Sequence, residues 1–111
     1  IGPYSQAVSL NGTVFVSGQL PVNPADGTIP QGIELQTRQA LDNIGAILNE
    51  AGLTFNDIVK TTVLMADLKD FAAMNAVYAE YFPQDKPARA CFQVAAVPKG
   101  ALLEIEAIAG R

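Results

Sequence analysis

No histidine occurs anywhere in the 111 residues. That absence removes Ser-His-Asp and Cys-His nucleophilic arrangements, imidazole general bases and His-ligated zinc. A single cysteine, Cys91, leaves no thiolate-clustered metal site and no disulfide within the chain, which suits a reducing compartment. Chemistry here must use Glu, Asp, Arg, Lys, Tyr, Ser, that one thiol, backbone groups or water.

Charge is scarce as well. Only 16% of residues are charged, against about 25% in ordinary globular chains. The basic residues Lys60, Lys69, Lys86, Lys99, Arg38, Arg89 and Arg111 are scattered, and the net charge is −4. Tight binding to nucleic acid needs several phosphates neutralised together, so no nucleic-acid partner is expected. No apolar run approaches the roughly 18 residues of a membrane span, and no stretch reads as a signal peptide. No membrane partner is expected, and the location expected is cytoplasmic, or mitochondrial in a eukaryote.

What the chain has in quantity is apolar side chain: half of the residues are hydrophobic. Its length suits one domain, residues 1–111, with an adequate core. With so few charges to cover a small sphere, surplus apolar area is expected in subunit contacts, hence a homo-oligomer. The chain opens at Ile1-Gly2-Pro3 without methionine, so an element ahead of residue 1 is expected.

Along the chain, "AVSLNGTVFVSG" sets two β-prone runs, Ala7–Leu10 and Thr13–Ser17, around Asn11-Gly12. Asn-Gly tolerates the positive φ angles of a type I′ turn, which predicts a hairpin. Gly18 to Gly32 carries Pro21, Pro24, Gly27 and Pro30 and reads as a loop. From about Ile33 to Ala51 the period turns helical. Ala40, Leu41, Ile44, Ile47, Leu48 and Ala51 form one stripe, with Gln36, Arg38 and Asn43 opposite and Gly52 placed as C-cap.

"IVKTTVLMA" follows Asp57 as a largely buried strand. "DLKDFAAMNAVYAEYF" predicts a second helix with Phe71, Met74, Tyr78 and Phe82 on one side, stopped by Pro83. "ARACFQVA" and "LLEIEAIA" are two further strands around "PKG". The order ββαβαββ predicts an α+β sandwich, two helices packed on one face of a single sheet. The uncovered face is left to water or to a neighbouring subunit.

The residues that carry chemistry cluster late in the chain. In "PARACFQVA", alternation sets Ala88, Ala90, Phe92 and Val94 on one face and Arg89, Cys91 and Gln93 on the other. Arg89 carries a permanent charge on a fork that fits a carboxylate bidentately; its plain alternative is a surface arginine on a solvated face. Cys91 beside that cation reads as a lowered-pKa thiolate or as a small inert core residue.

Glu104 and Glu106 share one face of "LLEIEAIA". A partly buried glutamate has a raised pKa and can act as general acid or base; the plain alternative is the solvated side of an edge strand. The strand carrying Arg89 and Cys91 is the one before, so side-by-side pairing of the two strands would bring both sets together. Tyr4, Ser5, Ser17 and Gly18 stand at strand ends where a ligand approaches backbone N–H groups, or are turn punctuation. Asn75 is a helix polar group that suits a ligand donor or an ordinary surface position. Residues alone stop at a pocket of Arg, Glu, Cys and Tyr that fits a small carboxylate and water-mediated chemistry.

The stretches "IGPYSQAV", "VFVSGQLPVNP", "GLTFNDIVKTTVLMADLKDFAAMNAVYAEYF" and "PARACFQVAAVPKGALLEIEAIA" together resemble the Rid (YjgF) family, its RidA subgroup above all. They cover nearly the whole chain in the family's order. The resemblance implies an enamine/imine deaminase, one that hydrolyses 2-aminoacrylate, 2-aminocrotonate and their 2-imino tautomers to 2-oxo acids and ammonia. These intermediates escape from pyridoxal-phosphate dehydratases of threonine and serine, which places the activity beside isoleucine biosynthesis and in metabolite damage control. It further implies a chorismate-mutase-like fold with a mixed β-sheet, a homotrimer with sites between subunits, and no metal or organic cofactor.

Residue by residue, the resemblance makes Arg89 the holder of the substrate carboxylate. Cys91 would line the pocket near the imine carbon without acting as a covalent nucleophile. Glu104 would activate water and shuttle a proton. Tyr4 would cover the apolar side of the substrate, Ser17 and Gly18 would form the wall, and Asn75 would lie close by. Two departures stand out: the strand that precedes "AIGPY" in the family is absent, and the loop "FPQDKPAR" is short. Two other functions compete with the deaminase. One is a non-catalytic sensor that holds a 2-oxo acid or amino acid on Arg89, and the other is an endoribonuclease or translation inhibitor, disfavoured by the acidic charge.

Overall fold

A computed structural model describes residues 2–111. Its order is β1 (Ala7–Leu10), β2 (Thr13–Gln19), α1 (Ile33–Glu50), β3 (Ile58–Met65), α2 (Phe71–Tyr81), β4 (Ala88–Gln93) and β5 (Leu103–Gly110). This is the ββαβαββ succession the periodicities predict. Asn11 and Gly12 take φ of 51° and 81°, the left-handed pair that a two-residue I′ hairpin requires. Gly52 takes φ +75° just beyond α1. There its N–H reaches the Asn49 carbonyl and the Leu53 N–H reaches that of Leu48, a Schellman stop. The second helix is shorter than its period predicts. The Asp67 carboxylate accepts from the Lys69 N–H, which turns Leu68–Asp70 into a 3₁₀ segment before α2 begins at Phe71.

The strands form one mixed sheet in the order β1-β2-β5-β3-β4. β3 and β4 run parallel, and α2 is the crossover that a parallel pair needs. The other pairings are antiparallel. Both helices cover one face of this sheet. Leu41, Ile44 and Leu48 of α1 and Met74 of α2 meet Val63, Met65, Leu103 and Ile105, all fully buried. Each such side chain removed from water stabilises the fold by about 1.5–3 kcal/mol.

Two polar residues that the helical period sets opposite the apolar stripe instead serve the interior. Gln36 is buried and holds both ends of neighbouring loops, donating to the Pro30 carbonyl at 3.0 Å and accepting from the Leu102 N–H at 2.8 Å. The Asn43 amide spans the Leu20 and Val22 carbonyls. Long polar side chains at the border of a stripe can turn inward where loop backbone lacks a partner.

The uncovered face of the sheet is apolar for a water-facing surface. Val8, Leu10, Phe15 and Phe92 are 44–61% exposed there. Their cross-strand partners place them on one side: Val8 pairs with Phe15, Leu10 with Thr13, and Phe92 with Leu64.

Candidate functional site

The face on which Arg89 lies follows from its register. Arg89 pairs with Thr61 and Cys91 with Val63, and both partners are fully buried beneath the helices. The polar side of β4 is therefore the helix-covered side, and Ala88, Ala90 and Phe92 point to the open one. A solvated outer face for Arg89 is thereby corrected. β4 is the last strand of the sheet, so its inward residues sit at the edge of the core, where a guanidinium remains reachable.

Three residues of α2 hold that guanidinium. The Arg89 Nη1 donates to Asn75 Oδ1 at 2.7 Å. The guanidinium carbon lies 4.7 Å from the Tyr78 ring centroid and 5.6 Å from that of Phe71, within cation–π range. Phe71, Asn75 and Tyr78 are spaced i, i+4, i+7, so one stripe of the helix forms the cradle. Tyr78 is itself anchored, its hydroxyl 2.7 Å from Thr61 Oγ1 in a buried contact, its ring 4.7 Å from Phe82. Among the described residues no acid pairs with Arg89.

Cys91 is partly buried two residues along. Burial pushes its thiol pKa up, and the opposing pull of the Arg89 charge is the weaker cause. A thiolate activated by the arginine is therefore not what this environment favours; the thiol stays protonated at neutral pH.

Glu104 is built into a different place. It pairs with Leu64, and Glu106 with Thr62, which puts both carboxyls on the open face. Glu104, Tyr4, Ser17 and Gly18 line one cleft of about 860 Å³. The strand β2 is irregular between Val16 and Gln19, and the Ser5–Gln6 segment is laced onto that irregularity. The Ser17 N–H donates to the Gln6 carbonyl, the Ser17 hydroxyl to the Ser5 carbonyl, and Gln19 Nε2 to Gln6 Oε1 at 3.0 Å. This lacing delivers Tyr4 to the cleft.

Gly18 has a specific task there. A Cβ at that position would stand 2.8 Å from Glu104 Oε2, inside van der Waals contact, so the missing side chain is the space the carboxyl occupies. Burial, and secondly the neighbouring Glu106 charge, raise the Glu104 pKa above the usual carboxylate value. A carboxyl so tuned holds a proton more readily than an exposed glutamate and can both take and return one.

The expected side-by-side meeting of Arg89 and Glu104 does not occur within the chain. β3 lies between β4 and β5, and the two side chains are on opposite faces of the sheet. Arg89, Asn75 and Cys91 form one cluster; Tyr4, Ser17, Gly18 and Glu104 form another. Strand order in a mixed sheet is set by crossovers and not by sequence adjacency, so neighbouring segments need not pair. The amino-acid sequence alone does not mark Phe71, Tyr78 and Thr61 as part of the site. Their spacing on α2 reads equally as a core stripe, and only the arginine over the rings distinguishes the two uses.

The family model described as Endoribonuclease L-PSP matches residues 1–110. A goat (Capra hircus) protein named 2-iminobutanoate/2-iminopropanoate deaminase is 56% identical over 110 residues, covering 98% of this chain and 80% of the relative. The human protein of the same name is 50% identical over the same shares. Among solved structures, Escherichia coli TdcF with bound serine superposes with a TM-score of 0.97 at 50% identity, covering 100% of this chain and 90% of that one. RidA from an Antarctic Psychrobacter gives 0.97 at 44% identity over the same shares.

Proposed function

Because this chain belongs to the Endoribonuclease L-PSP family, also called YjgF/Rid, we propose that it hydrolyses reactive 2-imino and 2-enamino acids to 2-oxo acids and ammonia. The observation that carries the reading is a matched pair of groups. A cradled arginine without an acid partner suits an anionic substrate, and a glutamate with a raised pKa beside a cleft suits proton transfer. Relatives at 50–56% identity bear the deaminase name.

In this mechanism Arg89 holds the carboxylate of the substrate through its outward N–H donors, and Asn75 fixes the guanidinium. Tyr4 closes the apolar side. The imine takes a proton, which makes its carbon electrophilic, and Glu104 orients a water against it. Water adds across C=N, its proton passing to Glu104; Glu104 returns that proton to the carbinolamine nitrogen, the hydroxyl proton passes to solvent as C=O forms, and the C–N bond breaks with ammonia as the leaving group. Holding water and carbon together removes the entropic search from the step. Arg89 contacts a group that does not react, so it serves affinity and positioning. Cys91 lines the pocket as a protonated thiol.

Arg89 and Glu104 of one chain face away from each other, so the complete site requires Arg89 of one copy and Glu104 of the next. A homotrimer, three equivalent sites in a closed ring, satisfies this with the apolar open face buried. The test is release of 2-oxobutyrate in a coupled assay, with threonine dehydratase supplying 2-aminocrotonate in a buffer slow to hydrolyse it. Acceleration by wild type, lost in Arg89→Ala and Glu104→Ala, supports both roles. No acceleration by wild type refutes the enzyme reading and favours a 2-oxo acid sensor.

A further inference from the structure

Lys86 and Arg89 line one pocket of about 290 Å³ between the C-terminal half of α2 and the start of β4, and no acid lines it. In this chain that is anomalous. Acids outnumber bases eleven to seven. The ion pairs among the described residues are Arg38–Glu80, Lys69–Asp67 and Arg111–Asp57, and none involves Lys86 or Arg89. Two bases on one small pocket with no acid beside them favour an anion there.

Lys86 is also held in place. Its Nζ donates to the Phe82 carbonyl at 3.0 Å, at the C-cap of α2, where unsatisfied carbonyls and the helix dipole favour a cation. Pro87 directly after it restricts its backbone to extended conformations. One of the three ammonium N–H donors is thus used, and two remain for a ligand. Arg89 likewise spends one donor on Asn75 and keeps the others. The pocket therefore offers two anchored, partly unused cations in a volume near the lower end of small-molecule sites.

We propose that Lys86 holds a second anionic group of the substrate, so that this protein takes 2-imino dicarboxylates of four or five carbons, the imines of acidic amino acids. The inference rests on the reading of Arg89 as the carboxylate anchor. Arg89 takes the carboxylate next to the imine carbon, and Lys86 takes the distal one. The chemistry is unchanged: water adds across C=N, the C–N bond breaks, and a 2-oxo dicarboxylate and ammonia leave, with no oxidant or reductant in the step. The reaction that supplies such an imine is two-electron oxidation of an acidic α-amino acid by an oxidase or dehydrogenase.

Calorimetry with 2-oxoglutarate and 2-oxobutyrate, on wild type, Lys86→Met, Lys86→Arg and Arg89→Ala, tests the assignment. Wild type is expected to bind 2-oxoglutarate more tightly than 2-oxobutyrate. The ratio of the two affinities should fall roughly tenfold in Lys86→Met, the loss of one charge-assisted contact, and return in Lys86→Arg. Thermal melting of each variant separates this from loss of the helix cap. Equal weakening of both ligands in Lys86→Met, or an unchanged ratio, overturns the second-cation role. Wild type that prefers 2-oxobutyrate overturns it too. Failure of the underlying reading looks different: Arg89→Ala would then bind 2-oxobutyrate as wild type does.

Discussion

Arg89 and Glu104 of one chain lie on opposite faces of the same sheet, their strands separated by β3. On the proposed mechanism these two groups are half-sites until a second copy supplies the other. Assembly and activity would then be coupled by topology, and any change that opens the subunit contact should abolish turnover while leaving each fold intact. Phe92→Asp places a charge on the apolar open face, where the residue is 48% exposed in the single chain. Sedimentation should show monomers with native circular dichroism and no deaminase activity.

The two half-sites should fail in different kinetic parameters. Arg89→Ala removes a charge-assisted contact worth about 1.5–3 kcal/mol, which should raise KM roughly 10- to 100-fold with a smaller change in kcat. Glu104→Gln removes proton transfer, and kcat should fall by roughly 10² to 10⁴ with KM little altered. Steady-state kinetics on both variants check the division.

Gly18→Ala tests the space beside Glu104. The new methyl would stand 2.8 Å from the carboxyl oxygen, so the carboxyl must swing out of place. Because the displaced group is the end of a flexible side chain, the expected stability loss is small, about 1 kcal/mol or less. Activity should fall at least tenfold. Parallel melting and kinetic measurements separate the two effects.

Glu104 also predicts a pH dependence. Its pKa is raised first by burial and then by Glu106. In the proposed role of general base it must be ionised, so kcat/KM should decline on the acid side at a pH above the usual carboxylate value. Glu106→Gln removes the second cause and should shift that limb to lower pH. The stability sign is opposite to that of an ion-paired acid. The contribution is fully present below the unfolded glutamate pKa and is lost as pH rises through the raised folded value. Kinetic pH profiles of wild type and variant check the first claim, and melting across that window checks the second.

The Tyr78 hydroxyl and Thr61 Oγ1 satisfy each other in the interior. Tyr78→Phe keeps the ring beneath Arg89 and leaves the Thr61 hydroxyl without its partner, which should cost about 1–3 kcal/mol. The loss should appear in denaturant unfolding, with KM changed far less than in Arg89→Ala.

Local features of the fold are legible in the amino-acid sequence because local physics decides them. Asn11-Gly12 needs left-handed backbone and takes it, Gly52 ends α1, and the succession of periods marks every strand and helix. What local physics leaves open is which strands meet. β5 enters between β2 and β3, and the α2 crossover puts β4 on the far side of β3, so "PARAC" and "EIEAIA", neighbours in the chain, do not touch. Alternation in β4 separates Arg89 from Phe92 correctly, yet it does not say which set faces the helices. Here the apolar set faces outward, onto the open face that the proposed trimer would bury. Gln36 and Asn43 escape the helical pattern for a related reason: loop carbonyls and an N–H that need partners exist only in the folded arrangement.

The most direct test of the account is subunit complementation. Arg89→Ala and Glu104→Gln proteins, each of low activity alone at substrate concentrations well below the wild-type KM, are unfolded together in equal amounts and refolded as mixed assemblies. If every site takes Arg89 from one copy and Glu104 from the next, random mixing restores about one quarter of wild-type activity, since each position is intact in half of the copies. A mixture as inactive as its components, with mixed assembly verified by mass, would contradict a site shared between chains.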